Sequence, residues 1–281
     1  MSLQEAADRL GVHYMTAYRY IRQGRLPATR EGGEWRIRRV DVNAMQGPSV
    51  KRARRGAERA RAGSEGLERR MLAGDGSGAW WLVKNQLDGG LDPTGVLNDL
   101  LVPALRSIGE RWASGQLSVA DEHTATVVAQ RLVGHLGLQF GRRGKSRGAI
   151  ALAAPSGDLH TLPVAIVADL LRWQAFEVLE LGADTPADAL ADAVAHQDRL
   201  LAVGIVSTTL GLEAEVALSA RSVRAVVPEA TIFLGGPGIR SEKHALELGG
   251  DVWTGPGPNA AVETVESIAG SIRERVPSSV A

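Results

Sequence analysis

None of the 281 residues is cysteine. That excludes disulfides, thiolate metal sites and a cysteine nucleophile, and it fits a reducing compartment. No apolar run approaches the roughly 20 residues of a membrane span. The start, Met1-Ser2-Leu3-Gln4-Glu5, lacks the basic-then-apolar pattern of a signal peptide, so a soluble, cytoplasmic chain is expected, with no membrane partner. There is no internal repeat, low-complexity tract, phosphate loop, Ser-His-Asp order or metal-ligand histidine spacing, so catalysis by this chain alone is not expected. Net charge is also absent, with 32 basic and 32 acidic side chains. What is present is length for two or three small domains and a 44% apolar fraction, ample for packed cores.

The charges are unevenly spread. Residues 1–62 hold 14 Lys and Arg against 6 Asp and Glu, leaving 18 basic against 26 acidic over the rest. Such asymmetry points to a nucleic-acid-facing end on a body with another task. Ser2-Leu3-Gln4-Glu5 reads as a capping box opening a helix that Gly11 ends. Val12-His13 make a turn, Tyr14 to Gln23 form a second helix with Ala17, Tyr18 and Ile21 inward, and Gly32-Gly33 is a hairpin turn. Val40 to Met45 read as a last short helix. Helix, turn, helix, hairpin is a winged helix-turn-helix, assigned here to residues 1–46. Its second helix would enter the major groove of double-stranded operator DNA, presenting His13, Tyr14, Thr16 and Arg19 to bases. Arg22 and Arg36, with Arg25, Arg30, Arg38 and Arg39, would meet phosphates. One such module buries little surface, so a homo-oligomer, dimer or tetramer, is expected.

Residues 47–66 read as a solvated basic linker with a helical end. Residues 67–143 are expected to form an antiparallel four-helix bundle, with helices near 66–73, 80–88, 93–115 and 118–138 and a second basic stretch from Gly141 to Ser146. From 144 to 281, strands near 149–154, 176–181, 201–207, 231–234 and 252–254 alternate with helices. This predicts a flavodoxin-like α/β domain built on a doubly wound parallel five-stranded sheet. Ligands bind such sheets at the carboxyl ends of the strands. Three features lie there: Gly157-Asp158-Leu159-His160 after the first strand, Ser207-Thr208-Thr209 after the third, and Gly235-Gly236 after the fourth. Hydroxyls can donate to a ligand, and glycines let backbone approach a bulky one.

The first module resembles the DNA-binding domains of the MerR and excisionase groups through Leu3-Gln4-Glu5-Ala6-Ala7, Val12 to Tyr20 and the wing Gly32 to Ile37. Asp158-x-His160, Ser207-Thr208-Thr209, Gly235-Gly236 and the Leu181 to Pro186 loop resemble a cobalamin-binding domain. Trp112, then Val119 and Glu122-His123, resemble the helical cap of CarH-type cobalamin-dependent photoreceptor regulators, whose domain order this chain also shares. The resemblance implies adenosylcobalamin, a cobalt corrinoid, as cofactor. His160 would be the lower cobalt ligand, with Asp158 fixing its tautomer. The base tail would lie in a slot lined by Ser207, Thr209, Gly235 and Gly236, and Trp112, Val119, Glu122 and His123 would line the adenosyl side. Two positions depart from the pattern: Pro163 stands where the family has glycine, and Ala113 where it has a histidine after the cap tryptophan. The expected function is a one-component transcriptional repressor whose oligomeric state and DNA affinity follow adenosylcobalamin and light. The alternatives are a regulator of the same build that senses another ligand or a partner protein, and a corrinoid methyl carrier.

Overall fold

The computed structural model describes residues 1–10, 12–45, 48–140, 145–255 and 257–275. Gly11, expected to end the first helix, lies outside the described residues. So do the expected domain boundaries at 46/47 and 143/144, most of the Gly141 to Ser146 stretch, and the last six residues. The chain divides into two compact units, Met1–Ala62 and Gly63–Ala281.

In the first unit, α1 (Leu3–Leu10), α2 (Tyr14–Arg22), the antiparallel strands β1 (Ala28–Glu31) and β2 (Glu34–Ile37), and α3 (Arg39–Met45) form the winged helix-turn-helix. The capping box is made: the Ser2 N–H donates to Glu5 Oε2 at 2.7 Å, and the Glu5 N–H to Ser2 Oγ at 3.2 Å. Leu3, Ala6, Ala7, Ala17, Leu26, Ile37 and Val42 make one small core, against which Tyr18 and Ile21 pack. The wing therefore closes the core of the helix pair.

The expected linker is corrected by α4 (Pro48–Leu72), which runs through it. Arg, Ala, Glu and Lys are good helix formers, and their propensity outweighs the solvated look of a charge run. The second unit continues with α5 (Gly76–Asp88), α6 (Pro93–Gly95), a π-helical turn at Val96–Leu101, α7 (Val102–Ala113) and α8 (Val119–Gly137). One helix was expected over 93–115. The π turn interrupts it just before Pro103, where the Val102 N–H bonds the Leu97 carbonyl five residues back. Proline has no N–H to give and its ring clashes with the carbonyl four residues earlier, so the turn widens.

The α/β part follows as β3 (Ala149–Pro155), α9 (Thr161–Trp173), β4 (Glu177–Thr185), α10 (Ala187–Ala195), β5 (Leu200–Val206), α11 (Glu213–Val226), β6 (Thr231–Gly235), α12 (Glu242–Glu247), β7 (Val252–Trp253) and α13 (Pro258–Arg275). The sheet is parallel in the order β4-β3-β5-β6-β7, the expected doubly wound topology. Strand side chains alternate between its faces. Ile150, Leu152, Ala154 and Phe233 pack toward α9 and α13, while Ala151, Ala153, Ile205 and Leu234 pack toward α10 and α11. Helix α9 is buried nearly all round. Val164, Val167, Ala168 and Leu171 pack with the sheet, and Leu162, Ile166 and Leu170 join the core of the helical cap. Cap and sheet are thus joined through the helix that begins at His160.

Candidate functional site

The β3–α9 loop is pinned from three elements. The Gly157 N–H donates to Asp184 Oδ1 at 2.8 Å, and the Asp184 N–H donates to the Asp158 carbonyl at 2.9 Å, which ties the loop to the end of β4. The Asp158 side chain is fully buried. Its carboxylate accepts from the backbone N–H groups of Thr208 at 2.5 Å and Thr209 at 3.2 Å, and from the Thr208 hydroxyl at 2.9 Å. It also accepts from the His160 N–H at 3.2 Å and lies 2.7 Å from His160 Nδ1. Burial, the largest single influence, pushes the Asp158 carboxyl up. The hydrogen bonds from His160 and Thr208 outweigh it and hold the group well below the usual carboxylate range.

His160 sits at the N-cap of α9 with its side chain 61% exposed. The hydrogen bond to Asp158 raises its pKa; burial opposes this, and the negative charges of Asp158 and Glu122 add to it. With Nδ1 occupied, Nε2 is the nitrogen left toward solvent, and no described residue hydrogen-bonds to it. This is the donor set a single axial imidazole ligand needs: one ring nitrogen fixed by a carboxylate, the other open. Among the described residues there is no group of three or more His, Cys, Asp or Glu side chains able to hold a bare metal ion.

The cap residues lie at one end of the helical bundle. Trp112 lies in the last turn of α7 and is 48% exposed, and Val119, 56% exposed, opens α8 after a short connection. Glu122 Oε2 lies 2.7 Å from His123 Nδ1, and the Thr126 hydroxyl donates to Glu122 Oε1 at 2.7 Å. Burial pushes Glu122 up, but the bonds from Thr126 and His123 keep its carboxyl lowered, helped by the charges of His123 and His160. One face of α8 continues from Glu122 through Thr126 to Gln130, whose amide donates to Thr161 Oγ1 at 3.2 Å, the residue after His160. Leu159 and Leu210, in the loops after β3 and β5, add exposed apolar surface. Sequence reasoning passed over both, because a lone exposed leucine carries no signal.

A cavity of about 490 Å³ opens beside the loop, walled by α9, the ends of β5 and β6, α13 and the start of α7. Gly235, Gly236 and Pro163 are among its lining residues. Ser207 and Thr209 are not among its lining residues; Thr208, between them, is. Ser207 is buried, and its hydroxyl donates to the Thr209 carbonyl at 3.2 Å, so its proton is already used inside the β5–α11 loop. Gly236, at φ +93°, lies against the Ser207 carbonyl where any Cβ would collide. The glycine therefore serves loop-on-loop packing as well as the cavity. His160, Trp112, Glu122 and His123 lie outside the cavity lining. The wall residues Val206, Phe233 and Ala261 were not predicted; they come from three separate elements with nothing in common but core-like hydrophobicity.

In the first unit, His13 caps α2, its Nδ1 accepting the Met15 N–H at 3.3 Å. Tyr14, Met15, Arg19 and Arg22 are exposed on α2, and Thr16 is half-buried. Arg36 is exposed, with Glu34 3.8 Å away. Arg38 is held in a fork by Asp41 at 2.8 and 3.2 Å through Nε and Nη2.

This arrangement matches known domains along the chain. A helix-turn-helix domain model matches residues 1–46, and two models, each described as a B12 binding domain, match residues 64–136 and 148–265. The HTH-type transcriptional repressor CarH of Myxococcus xanthus is 30% identical over 210 residues, 72% of this chain and 69% of that protein. The trimethylamine corrinoid protein of Methanosarcina barkeri is 24% identical over 193 residues, 66% of this chain and 87% of that protein. The solved monomethylamine corrinoid protein of M. barkeri superposes with a TM-score of 0.63 at 16% identity, covering 72% of this chain and 96% of its own, which shows a shared fold. The chain thus combines a helix-turn-helix domain with a helical cap and a Rossmann-like domain of the cobalamin-binding kind. It belongs to the family of the repressor CarH.

Proposed function

We propose that this chain is a transcriptional repressor whose oligomeric state and DNA affinity are set by bound adenosylcobalamin and by light. The observation that carries the reading is the Asp158–His160 pair: a buried carboxylate fixing one imidazole nitrogen and leaving the other free at the carboxyl edge of the sheet. His160 would be the lower cobalt ligand, and the adjoining cavity, with Gly235 and Gly236 in its wall, would take the base tail. Trp112, Val119, Glu122 and His123 would cover the opposite face. Trp112, Val119 and His123 are exposed beside exposed Leu159 and Leu210, an apolar surface that a large ligand would cover. When bound, the corrinoid supplies a photolabile cobalt–carbon bond.

The coupling to DNA is a matter of linkage. A ligand shifts the population of assemblies only by binding one of them better. A dimer or tetramer gathers helix-turn-helix modules and multiplies their weak single contacts. The exposed face of α2, with His13, Tyr14, Thr16 and Arg19 toward bases and Arg22 and Arg36 toward phosphates, would dock the operator. Ala113 leaves the position after Trp112 without an imidazole, so a light response here proceeds without a nitrogen from that position. The test is reconstitution with adenosylcobalamin in the dark. Retention of corrin absorbance through gel filtration, a larger assembly and operator binding, all reversed by green light, are expected. A chain that takes up no corrinoid overturns the reading.

Similarity to the trimethylamine corrinoid protein favours one other reading, a methyl carrier. Methyl transfer to bound cobalamin by a partner enzyme, with no operator binding, would establish it instead.

A further inference from the structure

The chemistry of the cavity wall says more than that a tail fits. Its body is built of Leu162, Ile166, Val167, Val206, Phe233 and Ala261, all buried. Phe233 lies over Gly204, where a Cβ would meet its ring, so the sequence makes room for a flat aromatic surface there. The side-chain donors of the wall's two threonines, and two of its backbone carbonyls, are already engaged. The Thr208 hydroxyl and N–H both donate to Asp158, and the Thr254 hydroxyl donates to the Gly255 carbonyl at 3.4 Å. The Gly235 carbonyl accepts from the Ser207 N–H at 2.9 Å, and the Gly236 carbonyl from the Ile239 N–H at 3.0 Å. The one charged lining residue among those described, Arg106, is exposed on α7, and a guanidinium offers donors only.

We infer that this cavity selects the lower base of its corrinoid, accepting an apolar benzimidazole and rejecting a purine. The inference rests on the proposed cobalamin reading. A purine carries ring-nitrogen acceptors and, in adenine, an exocyclic amine donor. Buried against these walls, they would exchange water for mostly apolar side chains, and an unpaired buried polar group is penalised. A dimethylbenzimidazole brings two methyl groups to the same surface and buries a single free ring nitrogen, where adenine would bury several acceptors and an amine. Val206 and Ala261 are then specificity-determining residues.

The experiment is equilibrium binding to the full chain in the dark, read by corrin absorbance, with three ligands: cobalamin, its analogue with adenine as lower base, and cobinamide, which has no base. Cobalamin is expected to bind roughly 10–100-fold more tightly than the adenine form, with cobinamide weaker than cobalamin. Val206→Thr, isosteric but carrying a hydroxyl, should shrink the preference. Ala261→Ser tests the same wall should the first variant fail to fold. Equal affinity for the two bases, or cobinamide binding as well as cobalamin, overturns the selectivity and leaves the cobalamin reading intact. Failure of all three ligands to bind overturns that reading itself.

Discussion

Two carboxylate–imidazole pairs stand at the site, one on the sheet and one on the cap. Each has a carboxylate oxygen 2.7 Å from a histidine Nδ1. They differ in what surrounds the carboxylate. Asp158 is fully buried and tied to a loop from another strand by Thr208 and Thr209. Glu122 has a side chain 28% exposed, and its partners Thr126 and His123 both lie on its own helix. The lower pair is therefore part of the fold, and its histidine points where the sheet edge points it. The upper pair is local to α8 and can rearrange without cost to the core. In the proposed reading, a fixed histidine below and an adaptable surface above would suit a corrinoid site that responds to its other face.

The largest expected effect comes from breaking the buried carboxylate. Asp158→Ala strands the Thr208 and Thr209 N–H groups, and it should cost about 3 kcal/mol of stability by urea denaturation. It should also cost roughly 10–100-fold in cobalamin affinity, as loss of a histidine-orienting carboxylate does. His160→Ala separates the two roles: its exposed ring should cost less than about 1 kcal/mol of stability, while corrin binding falls and the spectrum of any bound cobalamin changes. If His160→Ala destabilises as much as Asp158→Ala, the division between scaffold and ligand is wrong. The corresponding upper change, Glu122→Gln, should shift stability by about 0.5 kcal/mol or less and alter the affinity for adenosylcobalamin more than that for a corrinoid with a small upper ligand.

The smallest effect is on pH. In the ligand-free chain the His160 ring should titrate above its ordinary value, and return toward it in Asp158→Asn, as followed by NMR. A raised folded pKa means that the protonated pair supports the fold fully below the unfolded value, and that this support is lost as pH rises through the raised one. Because the His160 side chain is 61% exposed, solvent screening leaves only a few tenths of a kcal/mol for the wild-type minus His160→Ala difference. A difference that grows with rising pH contradicts the pairing.

Much of this was legible along the chain. The β3–α9 loop announced itself because a buried apolar strand, a glycine, an acid two residues before a histidine and an amphipathic run follow one another. All of these signals are local. The helix-turn-helix was legible for the same reason: capping box, turn glycines and wing are neighbours in sequence. The helix over the supposed linker was misread because a charge run looks alike whether it is helical or solvated. Thr208 was passed over in favour of Ser207 and Thr209, since nothing local tells which of three adjacent hydroxyl residues will line the cavity or that both threonines turn toward Asp158, some 50 residues earlier.

By itself the sequence determined the order of modules, the parallel sheet and the presence of a carboxylate–histidine pair at its carboxyl edge. Hydrophobic period, capping and turn chemistry act over a few residues and are written there. Only the tertiary structure decided that Asp158 is sealed by the β5–α11 loop, that Ser207 spends its proton inside that loop, and that Phe233 over Gly204, with Val206 and Ala261, makes an apolar wall. Those facts depend on which strands lie side by side, and that is settled by the packing of the whole domain.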